Sequence, residues 1–365
     1  MGNLRIGIAG LNRGRHFYED FTKVDGADVI AVMDPNQEVL QAFCSKYKAV
    51  KALTDYQDLL DSDIDAVVIA SPIQLHVEQA VAALERNIHV LSEVTAATKL
   101  YDCMILLEAA RKSKAQYMMA ENYCYIRENI AVRNMVKAGL FGELYYAEGE
   151  YLHNVVDLYS TAAGEPTWRL EEIASKRGAI YGTHSLGPII NWFDSRVISV
   201  NCLGSGSHTV PAYKNDDSTI MLCRTESGGL INIRLDTISN RPHNMGYYTL
   251  QGTKGCYEAP RVPGGEHRVW LKDYAASSEE WLPLANFYKA FLPKELIDFP
   301  EAAKTSHHWG ADYFMVKDFV RCIREGRPVP IDIYRSLEFT LPGIMSQASI
   351  AHGGVPVTVP DVHKW

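Results

Sequence analysis

The chain has 365 residues, of which 47% are hydrophobic, and its formal net charge is −8. This length allows two domains with a full hydrophobic core. The acidic balance argues against a nucleic-acid groove or an anionic membrane surface, and no apolar stretch approaches the roughly 20 residues of a membrane span. We therefore expect a globular protein whose partner is neither nucleic acid nor a membrane.

The first predicted elements form a dinucleotide-binding turn. A buried strand over 4–9 precedes a glycine-containing turn, a helix follows, and a second apolar run over 29–33 ends in Asp34. Glycines let backbone N–H groups approach a pyrophosphate at a helix N-terminus, and the acid accepts hydrogen bonds from the adenosine ribose. The predicted contacts of the turn are Gly10, Leu11, Asn12, Arg13 and Gly14.

The turn departs from the usual G-x-G-x-x-G pattern, because Asn12 and Arg15 occupy the second and third glycine positions. Asparagine tolerates left-handed backbone well, and Gly14 is expected to take part of the third glycine's role. Asp34 favours NAD over NADP, because a carboxylate repels a ribose 2′-phosphate. The predicted cofactor is therefore NAD.

Strands and helices alternate through the first part of the chain. Strands are predicted over 66–70, 89–91 and 116–120, with helices over 73–86 and 99–112 between them. This alternation predicts a doubly wound parallel sheet, whose ligand lies at the carboxyl ends of the strands. The strand ends other than Gly10 and Asp34 are Ser71-Pro72, Glu93 and Asn122.

The pattern changes after about residue 140, where strands follow one another. The predicted strands are 144–152, 197–203, 219–224, 230–235, 247–251 and 267–272. They predict a large mixed or antiparallel sheet, covered on one face by helices over 126–138 and 185–193. The other face is expected to be solvated or an oligomer interface, which suggests a homodimer or homotetramer.

The end of the chain is predicted to be an irregular loop over 283–305 followed by helices over 311–325 and 337–351. The fold class is therefore α/β, with an N-terminal Rossmann domain over 1–122 and an α+β domain over 123–365. The second domain is expected to bind substrate and mediate oligomerisation, with its last helices packing back toward the first.

The seven cysteines are scattered, with no C-x-x-C pair, so reduced thiols are expected. The first predicted strand begins at about residue 4, which leaves no room for a signal peptide, and a cytoplasmic location is expected. No histidine spacing indicates a metal site, including the adjacent pair His307 and His308.

At the level of motifs, the chain resembles the Gfo/Idh/MocA oxidoreductases over essentially its whole length. The resemblance rests on the segment 65–72, on His76 and on the segment 89–93. Family members usually continue Glu-Lys-Pro where this chain has Glu93-Val94-Thr95, so the lysine that commonly serves as acid or base is missing. The resemblance implies that His76 and Glu93 serve the cofactor site.

A second motif of that family lies at 178–188 and normally has a histidine with one aspartate before it and one after it. Here His184 is kept, while Tyr181 and Gly187 replace the two aspartates. These departures resemble one branch, the NAD-dependent glycoside hydrolases typified by α-N-acetylgalactosaminidase. Similarity to that branch extends over 117–122, 142–144, Glu148 with 151–153, 168–170 and 356–361.

The branch implies a redox-assisted cleavage in which NAD is recycled: the hydroxyl at carbon 3 is oxidised, the proton at carbon 2 is removed, and the glycosidic oxygen leaves. Tyr181 is the predicted base and His184 the predicted contact to the reacting hydroxyl. The non-catalytic alternative is that Tyr181 only packs against its neighbours and that His184 caps the helix beginning near Ser185. The predicted sugar contacts are Glu148, His153, Trp168 and Arg169.

Two other functions are open on the sequence. The chain could be a plain NAD-dependent sugar or cyclitol dehydrogenase, with Tyr181 or His184 replacing the missing lysine. It could also be a non-catalytic sensor of NAD or a sugar, against which the intact acid–base candidates argue.

Overall fold

The fold is described from a computed structural model covering residues 2–47, 50–161 and 163–365. The chain forms two compact units. The first comprises the chain up to residue 125 with 299–337 and residue 365, and the second comprises 126–298 and 338–364. Within the described ranges, no helix combines the length and hydropathy that a bilayer span requires. All seven cysteines are free thiols, and five of them are buried.

The first unit is built on a six-stranded parallel sheet, as predicted. Its elements are β1 (Leu4–Ala9), α1 (Leu11–Phe21), β2 (Ala27–Met33), α2 (Gln37–Lys46), β3 (Lys51–Leu53), α3 (Tyr56–Leu60), β4 (Ala66–Ile69), α4 (His76–Glu85), β5 (His89–Ser92), α5 (Leu100–Lys112) and β6 (Tyr117–Met119). The strand order is β3-β2-β1-β4-β5-β6. The order reverses between β1 and β4, so a ligand is expected at the carboxyl ends of these strands.

Buried apolar strands form the centre of this sheet. All four residues of β4 are fully buried, and β4 pairs in parallel with β1 and β5. The sequence analysis missed β3 and the helices α2 and α3. Both helices are short and begin at side-chain caps, with Asn36 accepting from the backbone N–H of Glu38 and Asp55 accepting from that of Gln57.

The second unit is built on a nine-stranded mixed sheet, also as predicted. Its elements up to residue 298 are α6 (Arg127–Lys137), β7 (Leu144–Leu152), α7 (Thr183–Phe193), β8 (Val197–Gly204), β9 (Thr219–Thr225), β10 (Leu230–Asp236), β11 (Asn244–Gly252), β12 (Gly255–Glu258), β13 (Arg268–Leu271), β14 (Leu282–Pro283), α8 (Tyr288–Phe291) and α9 (Lys294–Ile297). Strands β7 and β10 pair in parallel, and their other neighbours pair antiparallel.

The region over 283–305 differs from its prediction, because it is not irregular. Short helical turns occupy Leu284–Phe287, α8, α9 and α10 (Glu301–Lys304). Each turn has only four residues, which is too short to show helical periodicity in the sequence.

The last elements are α11 (Ala311–Glu325), α12 (Ile333–Ala351) and β15 (Val357–Thr358). The segment 299–337, with α10 and α11, belongs to the first unit, and the division between the units falls inside α12. Strand β15 completes the order β14-β13-β12-β11-β7-β10-β9-β8-β15 in the second unit.

Candidate active site

Gly10 forms the bend between β1 and α1 in the first unit. Its φ is +84°, and a Cβ there would lie 2.6 Å from the carbonyl oxygen of Ala70, which leaves no room for a side chain. The helix begins at Leu11, earlier than the turn predicted through Gly14. Gly14 lies inside α1, where a Cβ would lie 2.7 Å from Cγ2 of Ile8, so it permits close packing of helix on strand.

Asp34 lies at the end of β2 and is buried. Its carboxylate accepts from the backbone N–H of Leu11 at 2.9 Å and from that of Asn36 at 3.0 Å. The N–H groups of Asn12 and Arg13, in the first turn of α1, have no intrahelical acceptor. The bend, the first-turn donors and the acid together fit the pyrophosphate and ribose of a dinucleotide.

His76 braces two strand-end loops. Its Nδ1 lies 3.0 Å from the carbonyl oxygen of Thr95, and its Nε2 lies 3.0 Å from that of Ser71. The ring is buried, and burial lowers the pKa of His76. Both ring nitrogens therefore face backbone, so the structure places this predicted cofactor residue behind Ser71 and Pro72 as a support.

Glu93 follows β5 and is held by a cation from the glycine turn. Its Oε1 accepts from Nε of Arg13 at 2.5 Å, and its Oε2 accepts from the backbone N–H of Val94 at 3.2 Å. The peptide bond between Val94 and Thr95 is cis. Arg13 also donates a hydrogen bond to Asp312. The sequence analysis missed Asp312, because no motif in the sequence marks it. Asn122, after β6, donates to the same carboxylate at 2.6 Å.

One group of possible metal ligands occurs in the described part of the chain, at His16, Glu19 and His307. Their ligand atoms lie within 4.8 Å of one another. Glu19 already accepts from Nζ of Lys46 at 3.0 Å, and the charges of Arg13 and Arg15 act on His16. These cations disfavour a metal ion, so we assign none.

In the second unit, five aromatic rings form a group that we call the Tyr/His cluster: Tyr151, His153, Tyr181, His184 and His243. The ring centroids of Tyr181 and His184 lie 5.4 Å apart, and those of Tyr151 and His184 lie 5.2 Å apart. The hydroxyl of Tyr151 lies 2.7 Å from Nδ1 of His153, whose ring is 4.7 Å from that of His243. The structure thus brings together three residues predicted from the sequence and adds two.

The start of α7 positions this cluster. Gly149 on β7 lets the helix approach, since a Cβ there would lie 2.8 Å from the carbonyl oxygen of Ser185. Tyr151 lies two residues further along the same strand face, beside His184. The carbonyl oxygen of His184 accepts from the hydroxyl of Tyr248 at 2.6 Å, which fixes the first turn of the helix.

The backbone before Tyr181 is fixed by α12. The N–H of Ala179 donates to Oγ of Ser346 at 2.8 Å, and a Cβ on Gly343 would lie 2.7 Å from the carbonyl oxygen of Ala179. Gly178 has a φ of +102°. This support fixes the backbone that leads to Tyr181, which lies just before the helix cap Gly182.

Trp168 and Arg169 lie beside the cluster but are partly structural. Trp168 packs with Tyr181 against a small hydrophobic core that includes Tyr159 and Ile173. The guanidinium of Arg169 lies 4.4 Å from the centre of the Trp168 ring, as a cation–π contact. The structure therefore brings both residues near Tyr181.

Glu148 is not brought to the Tyr/His cluster. Side chains alternate along β7, so Glu148 and Tyr151 point to opposite faces of the sheet. Glu148 accepts from the hydroxyl of Tyr146 at 2.6 Å. Burial, with the hydrogen bond to Glu148 next, raises the pKa of Tyr146 to about 12.

The sequence analysis assigned no role to Tyr151, His243 or Asp312. A signal was available for Tyr151, because it lies only two residues before the predicted sugar contact His153. No comparable signal exists for His243 or Asp312, which reach their neighbours only through tertiary folding.

Two family models match the chain. The model described as "Oxidoreductase family, NAD-binding Rossmann fold" matches residues 4–121. The model described as "Glycosyl hydrolase 109, C-terminal domain" matches residues 125–205 and 199–365. Together they cover almost the whole chain. NAD is therefore the cofactor, and the protein is an enzyme.

Curated relatives match along the full length. A glycosyl hydrolase family 109 protein of Solibacter usitatus is 29% identical over 402 residues, covering 100% of this chain and 90% of its own. One of Porphyromonas gingivalis is 29% identical over 403 residues, covering 98% of this chain and 84% of its own.

Solved structures share the fold. A levoglucosan dehydrogenase in complex with NADH and levoglucosan superposes with a TM-score of 0.84 at 18% identity, covering 99% of this chain and 100% of its own. The WlbA dehydrogenase from Bordetella pertussis, in complex with NADH and UDP-GlcNAcA, superposes with a TM-score of 0.78 at 20% identity, with 98% of each chain covered.

Proposed function

Because the chain belongs to glycosyl hydrolase family 109 and carries an NAD-binding Rossmann domain, we propose that it cleaves a glycoside through transient oxidation of the sugar. The observation that carries the proposal is the pairing of Tyr181 with His184 at the start of α7, with ring centroids 5.4 Å apart. A phenol and an imidazole side by side provide the two proton-transfer groups that this chemistry needs.

NAD held at the Gly10 bend and Asp34 would supply the redox chemistry, a reversible hydride transfer at carbon 3 of the sugar. The side chains of the protein move the protons. Oxidation at carbon 3 makes the hydrogen on carbon 2 acidic, and Tyr181 removes that proton as the glycosidic oxygen leaves. Water then adds its oxygen at carbon 1 and gives a proton to the departing glycosidic oxygen, and Tyr181 returns the first proton to carbon 2.

A phenol has an ordinary pKa of about 10, so a base at neutral pH needs positive potential near it. Tyr181 precedes α7, and the N-terminus of a helix carries partial positive charge that favours an anion. This local field supports the assignment of Tyr181 as the base.

His184 is proposed to hold and relay the proton of the reacting hydroxyl. It is buried between the rings of Tyr151 and Tyr181, and Tyr248 fixes its backbone carbonyl. An imidazole with a fixed backbone and packed ring has little freedom to turn away from its substrate.

The sugar is proposed to contact His153, Trp168 and Arg169. Trp168 can stack on a pyranose face, and Arg169 can donate paired hydrogen bonds. Glu148 is the weakest of the predicted sugar contacts, because it lies on the opposite sheet face from Tyr151.

A second candidate is a plain NAD-dependent sugar dehydrogenase. The likeness in fold to levoglucosan dehydrogenase and to the WlbA dehydrogenase favours it, since each of these dehydrogenases forms a complex with NADH and a carbohydrate. In that case the same Tyr181 and His184 would accept the hydroxyl proton, and the reaction would end at the ketone.

Aryl glycosides separate the two functions. Release of the aryl alcohol without net NADH supports the glycosidase, whereas one NADH formed for each sugar oxidised supports the dehydrogenase. The same reaction run in heavy water adds a second readout. Deuterium at carbon 2 of the recovered sugar is expected for the elimination route, and its absence together with NADH build-up would overturn it.

We also propose that the chain forms a homodimer or homotetramer in the cytoplasm. One face of the second sheet exposes Leu203, Ile220, Leu222 and Leu230, and this apolar face supports self-association. The free thiols agree with a reducing compartment. Light scattering after size-exclusion chromatography measures the oligomeric state, and a monomer at micromolar concentration would contradict this proposal.

A further inference from the structure

Asp312 joins three parts of the first unit through one buried carboxylate. It is 1% exposed, although it lies almost 190 residues beyond the last strand of the sheet. Arg13 donates to its Oδ2 at 2.9 Å, Asn122 donates to its Oδ1 at 2.6 Å, and Nδ1 of His308 lies 3.0 Å from its Oδ2. A side chain with this many charged and polar partners is more than a helix surface residue.

The carboxylate determines which way the amide of Asn122 points. An ionised carboxylate only accepts hydrogen bonds, so the NH₂ group of Asn122 faces Asp312 and its oxygen faces the other way. That oxygen, Oδ1, is buried and has no hydrogen-bond partner among the described residues. A buried acceptor without a partner is destabilising, and a donor from a ligand would satisfy it.

The ionic group formed with Asp312 carries an uneven charge. Burial lowers the pKa of Arg13, but Glu93 and Asp312 more than offset it and raise that pKa above its ordinary value. Burial alone would raise the pKa of Asp312. The interactions with Arg13 and His308 outweigh this effect and hold the pKa of Asp312 well below its ordinary range. One guanidinium therefore faces two carboxylates, Glu93 and Asp312, which outnumber it by one negative charge.

These groups lie at the edge of the sheet where its ligand binds. Arg13 follows β1, Glu93 follows β5 and Asn122 follows β6, and all three strands run parallel. In open parallel sheets the carboxyl ends of the strands hold the cofactor. The orphaned oxygen and the excess charge are thus both at the cofactor edge.

We propose that Asp312 is a positioning residue for NAD that also sets its preferred oxidation state. Asp312 turns the Asn122 oxygen toward a donor on the cofactor, and its charge favours the oxidised form. Oxidised NAD carries one more positive charge than NADH, on the nicotinamide ring, while the rest of the two molecules is the same. The proposal depends on NAD binding and is independent of the glycosidase reaction.

The test is the affinity of nucleotide-free, full-length protein for NAD⁺ and for NADH, measured separately by calorimetry. Asp312→Asn is expected to weaken the binding of NAD⁺ by about tenfold and that of NADH by less than about threefold, because only NAD⁺ loses a charge attraction. Arg13→Lys keeps every charge and is expected to weaken the binding of NAD⁺ and of NADH by a similar factor. Equal weakening of both forms by Asp312→Asn would overturn the proposal.

Asp65→Asn is the matched control. Asp65 pairs with Arg5 at 2.8 Å in the same unit, but it precedes β4 and so lies at the opposite edge of the sheet. This variant is expected to leave the ratio of the two affinities unchanged. If Asp312→Asn does not fold, Glu93→Gln removes one negative charge from the same ionic group and must shift the ratio in the same direction, or the proposal fails.

A double-mutant cycle tests the role of Asn122. Removing its amide with Asn122→Ala is expected to weaken both cofactor forms by at least fivefold in the parent protein. In the Asp312→Asn background the amide is free to turn, so the same change is expected to have less than half that effect. Additive effects would show that Asp312 does not act through Asn122. Thermal melting of the nucleotide-free variants reports separately on folding.

Discussion

The hydroxyl of Tyr151 lies 2.7 Å from Nδ1 of His153, and the Tyr151 ring is packed against that of His184 with centroids 5.2 Å apart. Tyr151 therefore connects the predicted sugar contact His153 with His184, a member of the proposed acid–base pair. It does so because Tyr151 lies near the end of β7, on the face that α7 covers, and His153 directly follows the strand.

Removing this hydroxyl with Tyr151→Phe is expected to lower kcat/KM for an aryl glycoside by about tenfold, because His153 loses the partner that orients it. The pH profile of kcat/KM should shift as well, since the phenol no longer shares a proton with the imidazole. Steady-state kinetics between pH 5 and 9 measure both effects. An unchanged pH profile would mean that Tyr151 only fills space.

Tyr181→Phe is expected to lower kcat by roughly 10²–10⁴-fold, because general-base catalysis contributes an effect of that size. The affinity for NAD should stay within about twofold, since the substitution leaves the cofactor-binding unit intact. Tyr213→Phe is the matched control, because Tyr213 packs against the same small core as Tyr181. If both variants lose activity equally, the phenol of Tyr181 is not the base.

Asp34→Ser is expected to weaken NAD binding by about tenfold, because a neutral hydroxyl replaces the carboxylate that we predict to bind the ribose. Binding of NADP should strengthen relative to NAD, since the repulsion of the 2′-phosphate is gone. Fluorescence titration with both cofactors measures the ratio. Asp28→Ser, on the same strand but exposed, provides the comparison, and the same change in ratio there would refute a local effect of Asp34.

Gly10→Ala is expected to destabilise the first unit by more than about 2 kcal/mol. The substitution adds the strain of a left-handed residue, about 1–2 kcal/mol, to a clash with the backbone of Ala70 at 2.6 Å. Gly326→Ala separates these contributions, because Gly326 has a φ of +62° and open space around it. Urea unfolding of both variants should show a clearly larger loss for Gly10→Ala.

Acidification is expected to destabilise the chain through His16. Burial, followed by the charges of His307, Arg13 and Arg15, lowers the pKa of His16 from 6.5 to about 4. The unfolded chain therefore takes up this proton before the folded one does, and the free energy of unfolding falls as pH drops from about 6.5 to about 4. The loss from this group is of order 1–3 kcal/mol.

His16→Gln removes this titrating group and should flatten the dependence of stability on pH over that window. Urea unfolding at half-unit steps of pH compares the variant with the parent protein. Parallel curves for the two proteins would show that His16 does not carry the effect.

The fold followed from the sequence where local patterns were long. The buried run at β4 and the 15-residue amphipathic helix α11 both lie where the sequence predicts them, because their periodicity extends over whole elements. The short elements β3, α2 and α3 were missed, although Asn36 and Asp55 carry helix caps that mark two of their starts.

The candidate site was predictable only in part, for a related reason. Tyr181, His184 and Asp34 lie in local motifs whose spacing carries the information. Asp312 reaches Arg13 across almost 300 residues, and nothing in its neighbourhood on α11 distinguishes it from a solvent-facing acid. For His76 the motif indicated a location but not the contacts, because both ring nitrogens face backbone carbonyl oxygens, and its role at the cofactor site stays a prediction.

The return of residues 299–337 to the first unit has a consequence for how the protein is made. A ribosome that has synthesised the six strands of the parallel sheet has not yet supplied α11, so Arg13 leaves the exit tunnel long before its carboxylate partner Asp312. Nascent chains stalled near residue 125 should therefore hold NAD poorly, and the same defect is expected when this segment is expressed as an isolated fragment.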